Sequence, residues 1–168
     1  MKAEYINPFI EAVNELFTTM LSSKAERGDV GVYFEAPPSS DIVAIIELSG
    51  STSGTVAISF PVATALGIVG RMLGSDVRVV DETVRDGVAE VVNIVAGAAK
   101  GKLHQVNGNP VQLSLPTVVR GTDYQVAYPT RTAWLEVPFE SDLGSFSLRV
   151  RFEENGNNGG ASDEGADS

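Results

Sequence analysis

A chain of 168 residues suits one domain with a real core, and 43% hydrophobic with 20% charged residues is ordinary for a globular protein. The net charge is −10, and it is still −5 once the five acids after residue 152 are set aside; that argues against a nucleic-acid binder, which needs a basic face for phosphates. The absence of cysteine excludes disulfides, thiolate chemistry and cysteine-based metal sites, and His104, the sole histidine, leaves no histidine cluster for zinc and makes a Ser-His-Asp triad a poor candidate.

The N-terminus lacks a signal h-region, and no apolar run reaches the roughly 18 residues of a membrane span. A cytoplasmic location is the expectation. Residues 7–21 predict a helix, with Asn7 as N-cap and Pro8 in the first turn. Ile6, Phe9, Ile10, Val13, Phe17, Met20 and Leu21 repeat at the spacing of one buried face. Residues 30–36 alternate as a strand that Pro37-Pro38 closes. Residues 42–48 and 54–60 flank Ser49-Gly-Ser-Thr-Ser-Gly54 and predict a hairpin. Pro61 opens a short helix with Leu66, Val69, Met72 and Leu73 as its apolar side and Gly74 as its stop.

Asp81 is the candidate N-cap of a second long helix that runs to about Leu103. Its β-branched residues and its glycines are poor helix formers, yet 84, 88, 91, 92, 95 and 99 make a helical stripe where period-two alternation fails. After the turn Asn107-Gly-Asn-Pro110, residues 111–119 and 124–128 look extended, and 131–139 with 145–152 predict a second hairpin. In its last strand Phe146, Leu148, Val150 and Phe152 face the core, which puts Arg149 and Arg151 on a wet face. Trp134 is expected in the core. The order of elements suggests an α+β protein with two α-β-β-β-like halves. Residues 1–152 form the expected single domain and the acidic 153–168 an expected disordered tail.

Plotted at about 100° per residue, the second long helix puts its valines on one side. Asp86, Glu90, Asn93, Gly97 and Gly101 fall on the other. Glu90 and Asn93 are i, i+3 neighbours, so their side chains project together. Mid-helix asparagine and exposed glycine each cost about 0.5–1 kcal/mol against better helix formers. That face receives another protein, or it is an ordinary solvated helix face where Glu is common, or its glycines admit another helix of the same chain. Glu11 and Asn14 repeat the spacing on the first helix without the small residues that follow Asn93, and are a weaker second candidate. Gly97-Ala-Ala-Lys-Gly-Lys102 is a residue short of a phosphate-binding loop and lacks the Ser or Thr that should follow the lysine.

The stretch Glu90-Val-Val-Asn93-Ile-Val-Ala-Gly97-Ala-Ala-Lys100 resembles the Glu-x-x-Asn active-site helix of the CheC/CheX/FliY phosphatases of bacterial chemotaxis. Leu115-Pro-Thr-Val-Val-Arg-Gly121 and Tyr5-Ile-Asn-Pro-Phe-Ile-Glu-Ala-Val extend the likeness, which covers roughly residues 4–152 and is nearer to the CheX branch than to CheC. The resemblance implies an antiparallel sheet covered by two long helices, and often a homodimer; an edge strand near 124–139 is the candidate for pairing. It implies a phosphatase acting on the phospho-aspartate of a CheY-like receiver in chemotaxis or two-component signalling. Asn93 would orient the attacking water and Glu90 would pair with the receiver's lysine. The same face extends the partner contact to Asp86, Gly97, Lys100 and Gly101. Magnesium would come with the receiver, and the protein would have no cofactor of its own. The alternative is a non-catalytic module that binds a receiver or a flagellar switch protein through the same helix.

Overall fold

Two hairpins rich in valine, isoleucine and phenylalanine build the centre of one sheet. In the computed structural model, which describes residues 3–34, 42–107, 110–120 and 133–153, they are β3 (Ile42–Gly50) with β4 (Gly54–Phe60) and β7 (Trp134–Ser141) with β8 (Phe146–Phe152). β4 and β8 pair antiparallel from Gly54↔Phe152 to Ser59↔Ser147 and join the hairpins. The strands run so close at that end that a Cβ on Gly54 would lie 2.0 Å from the Arg151 carbonyl oxygen. Expectations for residues 35–36, the Pro37-Pro38 stop, residues 124–128 and the acidic tail from 154 on lie outside the described residues.

Both outer strands are broken in two. β1 (Ala25–Arg27) and β2 (Gly31–Tyr33) follow one another along β7, and β5 (Val111–Leu113) and β6 (Thr117–Arg120) along β3. Each half therefore reads helix, split strand, hairpin. The split strand of each half completes the hairpin of the other, so neither sheet half is whole without its mate. The first predicted strand is shorter than 30–36, and β1 has too few residues to show a period. Residues 134–139 lie inside β7, between β8 and β1/β2, so they are not a sheet edge. The edges among the described residues are β1/β2 and β5/β6.

Helix α1 (Asn7–Met20) lays Phe9, Val13, Leu16 and Phe17 on the sheet. Phe17 and Phe139 each stack on Phe146 with centroids 5.1 Å apart, contacts that stabilise by about 0.5–1.5 kcal/mol beyond the area they bury. Asn7 is not the cap: it already lies in the helix, Ile6 holds the cap position without a side-chain bond, and a 3-10 turn over Ala3–Ile6 leads in. Met20 ends α1 and is 47% exposed, beyond the buried stripe. Helix α2 (Val62–Leu73) starts after Pro61 and ends at Gly74, whose φ of 69° is the left-handed stop expected there. Its buried residues are Thr64, Ala65, Ile68 and Val69; of the predicted apolar side Val69 is buried, Leu66 and Met72 pack half-buried against the core, and Leu73 is exposed. The helix is turned by packing on the next helix and by Thr64, which donates to the Ser145 carbonyl at 2.8 Å.

Arg149 and Arg151 overturn the expectation of a wet face. They are 8% and 2% exposed. β8 lies between β7 and β4 in mid-sheet, and its partners are arranged there: Arg149 Nε donates to Glu136 Oε2 at 2.7 Å, and Arg151 Nη2 to Thr55 Oγ1 at 3.2 Å and Glu153 Oε2 at 3.1 Å. The Arg151 guanidinium also lies 6.0 Å from the centre of the buried Trp134 ring. Alternation told which side of the strand these residues take, not whether that side meets water.

Candidate functional site

Helix α3 (Glu82–Asn107) begins where Asp81 Oδ1 accepts the Val84 N–H at 3.1 Å, the cap its sequence predicts. It runs four residues past the predicted end at Leu103. Val84, Val88, Val91, Val92, Val95 and Ala99 are all buried. Burying a valine stabilises by about 1.5 kcal/mol or more, whereas poor propensity costs a few tenths per residue, so the pattern wins. The helix rests on β3 and β4 with α1 beside it.

The opposite stripe is open from end to end: Asp86, Glu90, Asn93, Gly97, Lys100 and Gly101 are all exposed. Among the described residues neither the Glu90 carboxylate nor the Asn93 amide has a partner, so both are available to a visitor. The three glycines of α3 divide sharply. A Cβ on Gly87 would come within 2.7 Å of Val69 Cγ2 on α2, whereas one on Gly97 or Gly101 would meet nothing within 4 Å. Gly87 thus serves the fold. Among the described residues internal packing does not ask for Gly97 or Gly101, and no other helix is admitted there.

The pair on α1 sits differently. Glu11 and Asn14 are exposed on one face, but Lys102 of α3 reaches over, 3.0 Å from Glu15 and 3.6 Å from Glu11. The ammonium is held above its ordinary pKa chiefly by the hydrogen bond to Glu15, against the opposing effect of burial. One turn after Asn14 stands Thr18, where α3 has Gly97 after Asn93. Sequence reasoning missed the Lys102 clamp because it depends on how α1 and α3 lie together.

Gly97–Lys102 is continuous helix, so it cannot cradle a phosphate as a loop. His104 lies in α3, and its side chain is outside the described residues. Among the described residues no three His, Asp or Glu side chains gather to hold a metal, and no helix is long and apolar enough to cross a membrane.

The arrangement on α3 has known counterparts. A family model described as chemotaxis phosphatase CheX matches residues 42–140, a span that contains the Glu90/Asn93 face and the Leu115–Gly121 stretch. The chain belongs to the CheX family. The CheY-P phosphatase CheX of Thermotoga maritima is 30% identical over 129 residues, 75% of this chain and 81% of the relative. CheX from Vibrio vulnificus is similar in structure, with a TM-score of 0.80 and 28% identity over 90% of this chain and 100% of that one. CheX in a complex with CheY, BeF3 and Mg2+ from Borrelia burgdorferi has a TM-score of 0.74 and 25% identity over 89% of this chain and 98% of that one. The expected α+β fold, an antiparallel sheet with helices in the CheC-like arrangement, is the one found. The CheX match covers the α3 pair and not Glu11 or Asn14.

Proposed function

We propose that this CheX-family protein hydrolyses the phospho-aspartate of a CheY-like receiver, and that Asn93 and Glu90 carry the site. The observation behind it is the exposed α3 stripe, on which an acid and an amide without partners among the described residues stand beside two glycines where an added Cβ would meet nothing within 4 Å.

An acyl phosphate is already activated, so catalysis needs position and charge stabilisation more than a strong base. An amide can supply that positioning, because Asn93 accepts one hydrogen bond from a water and donates another, fixing it in line with the phosphorus. The water oxygen bonds to phosphorus while the bond from phosphorus to the aspartyl oxygen breaks, and the water's proton passes to a phosphate oxygen. Products are free aspartate and inorganic phosphate. Glu90 takes the receiver's lysine and holds α3 in register. Gly97 and Gly101 let the receiver's backbone close over the helix, with Asp86 and Lys100 at the rim. Magnesium supports the reaction by neutralising phosphoryl charge, and it arrives with the receiver; the T. maritima and B. burgdorferi relatives support a CheY-type partner.

With such a partner the protein works in the cytoplasm. A homodimer fits edge strand β2, next to the exposed Val32, Tyr33 and Phe34. We assign residues 1–152 to one domain and 153–168 to an appended tail. Glu11/Asn14 ranks below the α3 pair as a second site, because Lys102 occupies its carboxylate.

The test is the phosphate lifetime of a phosphorylated CheY-like receiver with and without the protein. Faster loss that Asn93→Ala removes supports the reading. Capture of the receiver with an unaltered lifetime replaces it with the binding-module alternative.

A further inference from the structure

The charges along α3 divide between those that the fold uses and those that it leaves. Arg85 donates to the Val118 carbonyl of β6 at 3.3 Å, and Lys102 lies 3.0 Å from Glu15 and 3.6 Å from Glu11 of α1. Lys100 is exposed and meets no acid among the described residues. Glu82, Asp86 and Glu90 are likewise exposed and meet no cation there.

These four free charges lie on the stripe of Asn93. At about 100° per residue, positions 82, 86, 90, 93, 97 and 100 fall within about 80° of arc. Along that stripe the acids all precede Asn93 and the lysine follows it. The acids stand at i, i+4 spacing, where like charges repel. No base lies three or four residues from Asp86 or Glu90, and no acid three or four from Lys100. A merely solvated helix face interleaves charges of opposite sign, which neutralise one another.

The helix dipole does not account for this order. It favours acids in the first turn and cations in the last, which covers Glu82 alone. Asp86 and Glu90 stand in later turns, and Lys100 is well short of the end of α3 at Asn107.

The stripe is therefore electrically polar, negative before Asn93 and positive beyond it. About 21 Å of helix separates Asp86 from Lys100, more than twice the screening length of about 8 Å at physiological salt, so a partner reads each end separately. A uniformly acidic face would accept a cationic partner in either direction along the helix. Opposite signs at the two ends accept it in one, because reversal sets like charge against like at both. Direction matters, since a water held by Asn93 is useful only when the phosphoryl group arrives in line with it.

We propose that the receiver lies along α3 in one fixed direction, with a carboxylate of its docking surface against Lys100 and a cationic patch against Glu82 and Asp86. Lys100 is a specificity-determining residue that selects among receivers without touching the reacting atoms. This rests on the reading of α3 as the receiver's docking face, and the occupant follows from charge complementarity with that face.

The test measures affinity and association rate for a magnesium- and beryllofluoride-loaded CheY-like receiver at low and high salt, together with kcat and KM on the phosphorylated form. Lys100→Glu should slow association, weaken binding and raise KM about tenfold at low salt, leave kcat within about twofold and lose most of its effect at high salt. Asp86→Lys should act in the same direction. Lys24→Glu makes the same change in net charge at an exposed lysine outside α3, and should weaken binding less than about twofold. Among lysine replacements of the receiver's surface acids, one should restore binding to Lys100→Glu. Wild-type binding by Lys100→Glu, an equal loss from Lys24→Glu, or restoration by no receiver variant overturns the proposal and leaves the phosphatase reading intact. Binding that follows the charge at Lys100 and Asp86, with no acceleration by any form, supports the proposal and removes the phosphatase reading. No binding by the wild type overturns both.

Discussion

Lys102 Nζ lies 3.6 Å from Glu11 Oε1, so the acid of one Glu-x-x-Asn pair is held by a cation from the helix that carries the other pair. Glu90 meets no such cation among the described residues. Two pairs of the same spacing are thereby made unequal by a contact between helices, and the contrast sets the order in which they should be tested.

Asn93→Ala should reduce the acceleration of receiver dephosphorylation at least a hundredfold, within the range typical of losing one positioned polar group. Because the amide is exposed and Ala is the better helix former, stability should hold or rise by up to about 0.7 kcal/mol. Glu90→Ala should act mainly on KM. Stopped-flow dephosphorylation alongside thermal melts separates the two effects, and equal losses from Glu11→Ala or Asn14→Ala would move the site to α1.

Gly97→Ala and Gly87→Ala should move stability in opposite directions. The first adds a methyl to open space and gains about 0.5–1 kcal/mol of helix propensity. The second drives a Cβ to 2.7 Å from Val69 Cγ2 and forces α2 and α3 apart, a repacking that costs about 1–3 kcal/mol. Urea melts read both. Gly97→Phe should keep the fold and block the receiver.

The Lys102 cluster should show its own pH signature. Its pKa is raised above 10.5 in the folded state, first by the hydrogen bond to Glu15. A raised pKa means that the folded state holds the proton more tightly, so the contribution is fully present below pH 10.5 and fades as pH climbs through the higher folded value. Melting midpoints of wild type and Lys102→Met should differ at neutral pH by a small, salt-sensitive amount and converge in the alkaline range.

Arg149→Ala tests the burial of the central strand. It strands Glu136, whose carboxylate is 2.7 Å from the guanidinium and itself largely covered. Losing one partner of a buried pair costs about 3–5 kcal/mol, whereas a residue on a wet face would cost under about 0.5 kcal/mol. Denaturant titration distinguishes these values.

Much of the site could be read along the chain because it lies on one helix. The 3.6-residue period alone put Glu90, Asn93 and Gly97 on the face opposite the valines, and Asp81 announced the start. The hairpins were legible for a similar reason, since Ser49–Gly54 and the alternating strands beside it are local signals. Short strands such as β1 carry too few residues to show a period, and the buried face of α2 depended on where Val69 meets Gly87.

The sequence by itself determined which residues share a face, because side-chain direction follows the local backbone period. Only the tertiary structure decided what each face meets. The place of β8 between β7 and β4 buried Arg149 and Arg151, α2 made Gly87 a packing residue while Gly97 stayed open, and Lys102 claimed Glu11. Each of these outcomes turns on contacts between segments distant in the chain, which no local periodicity encodes.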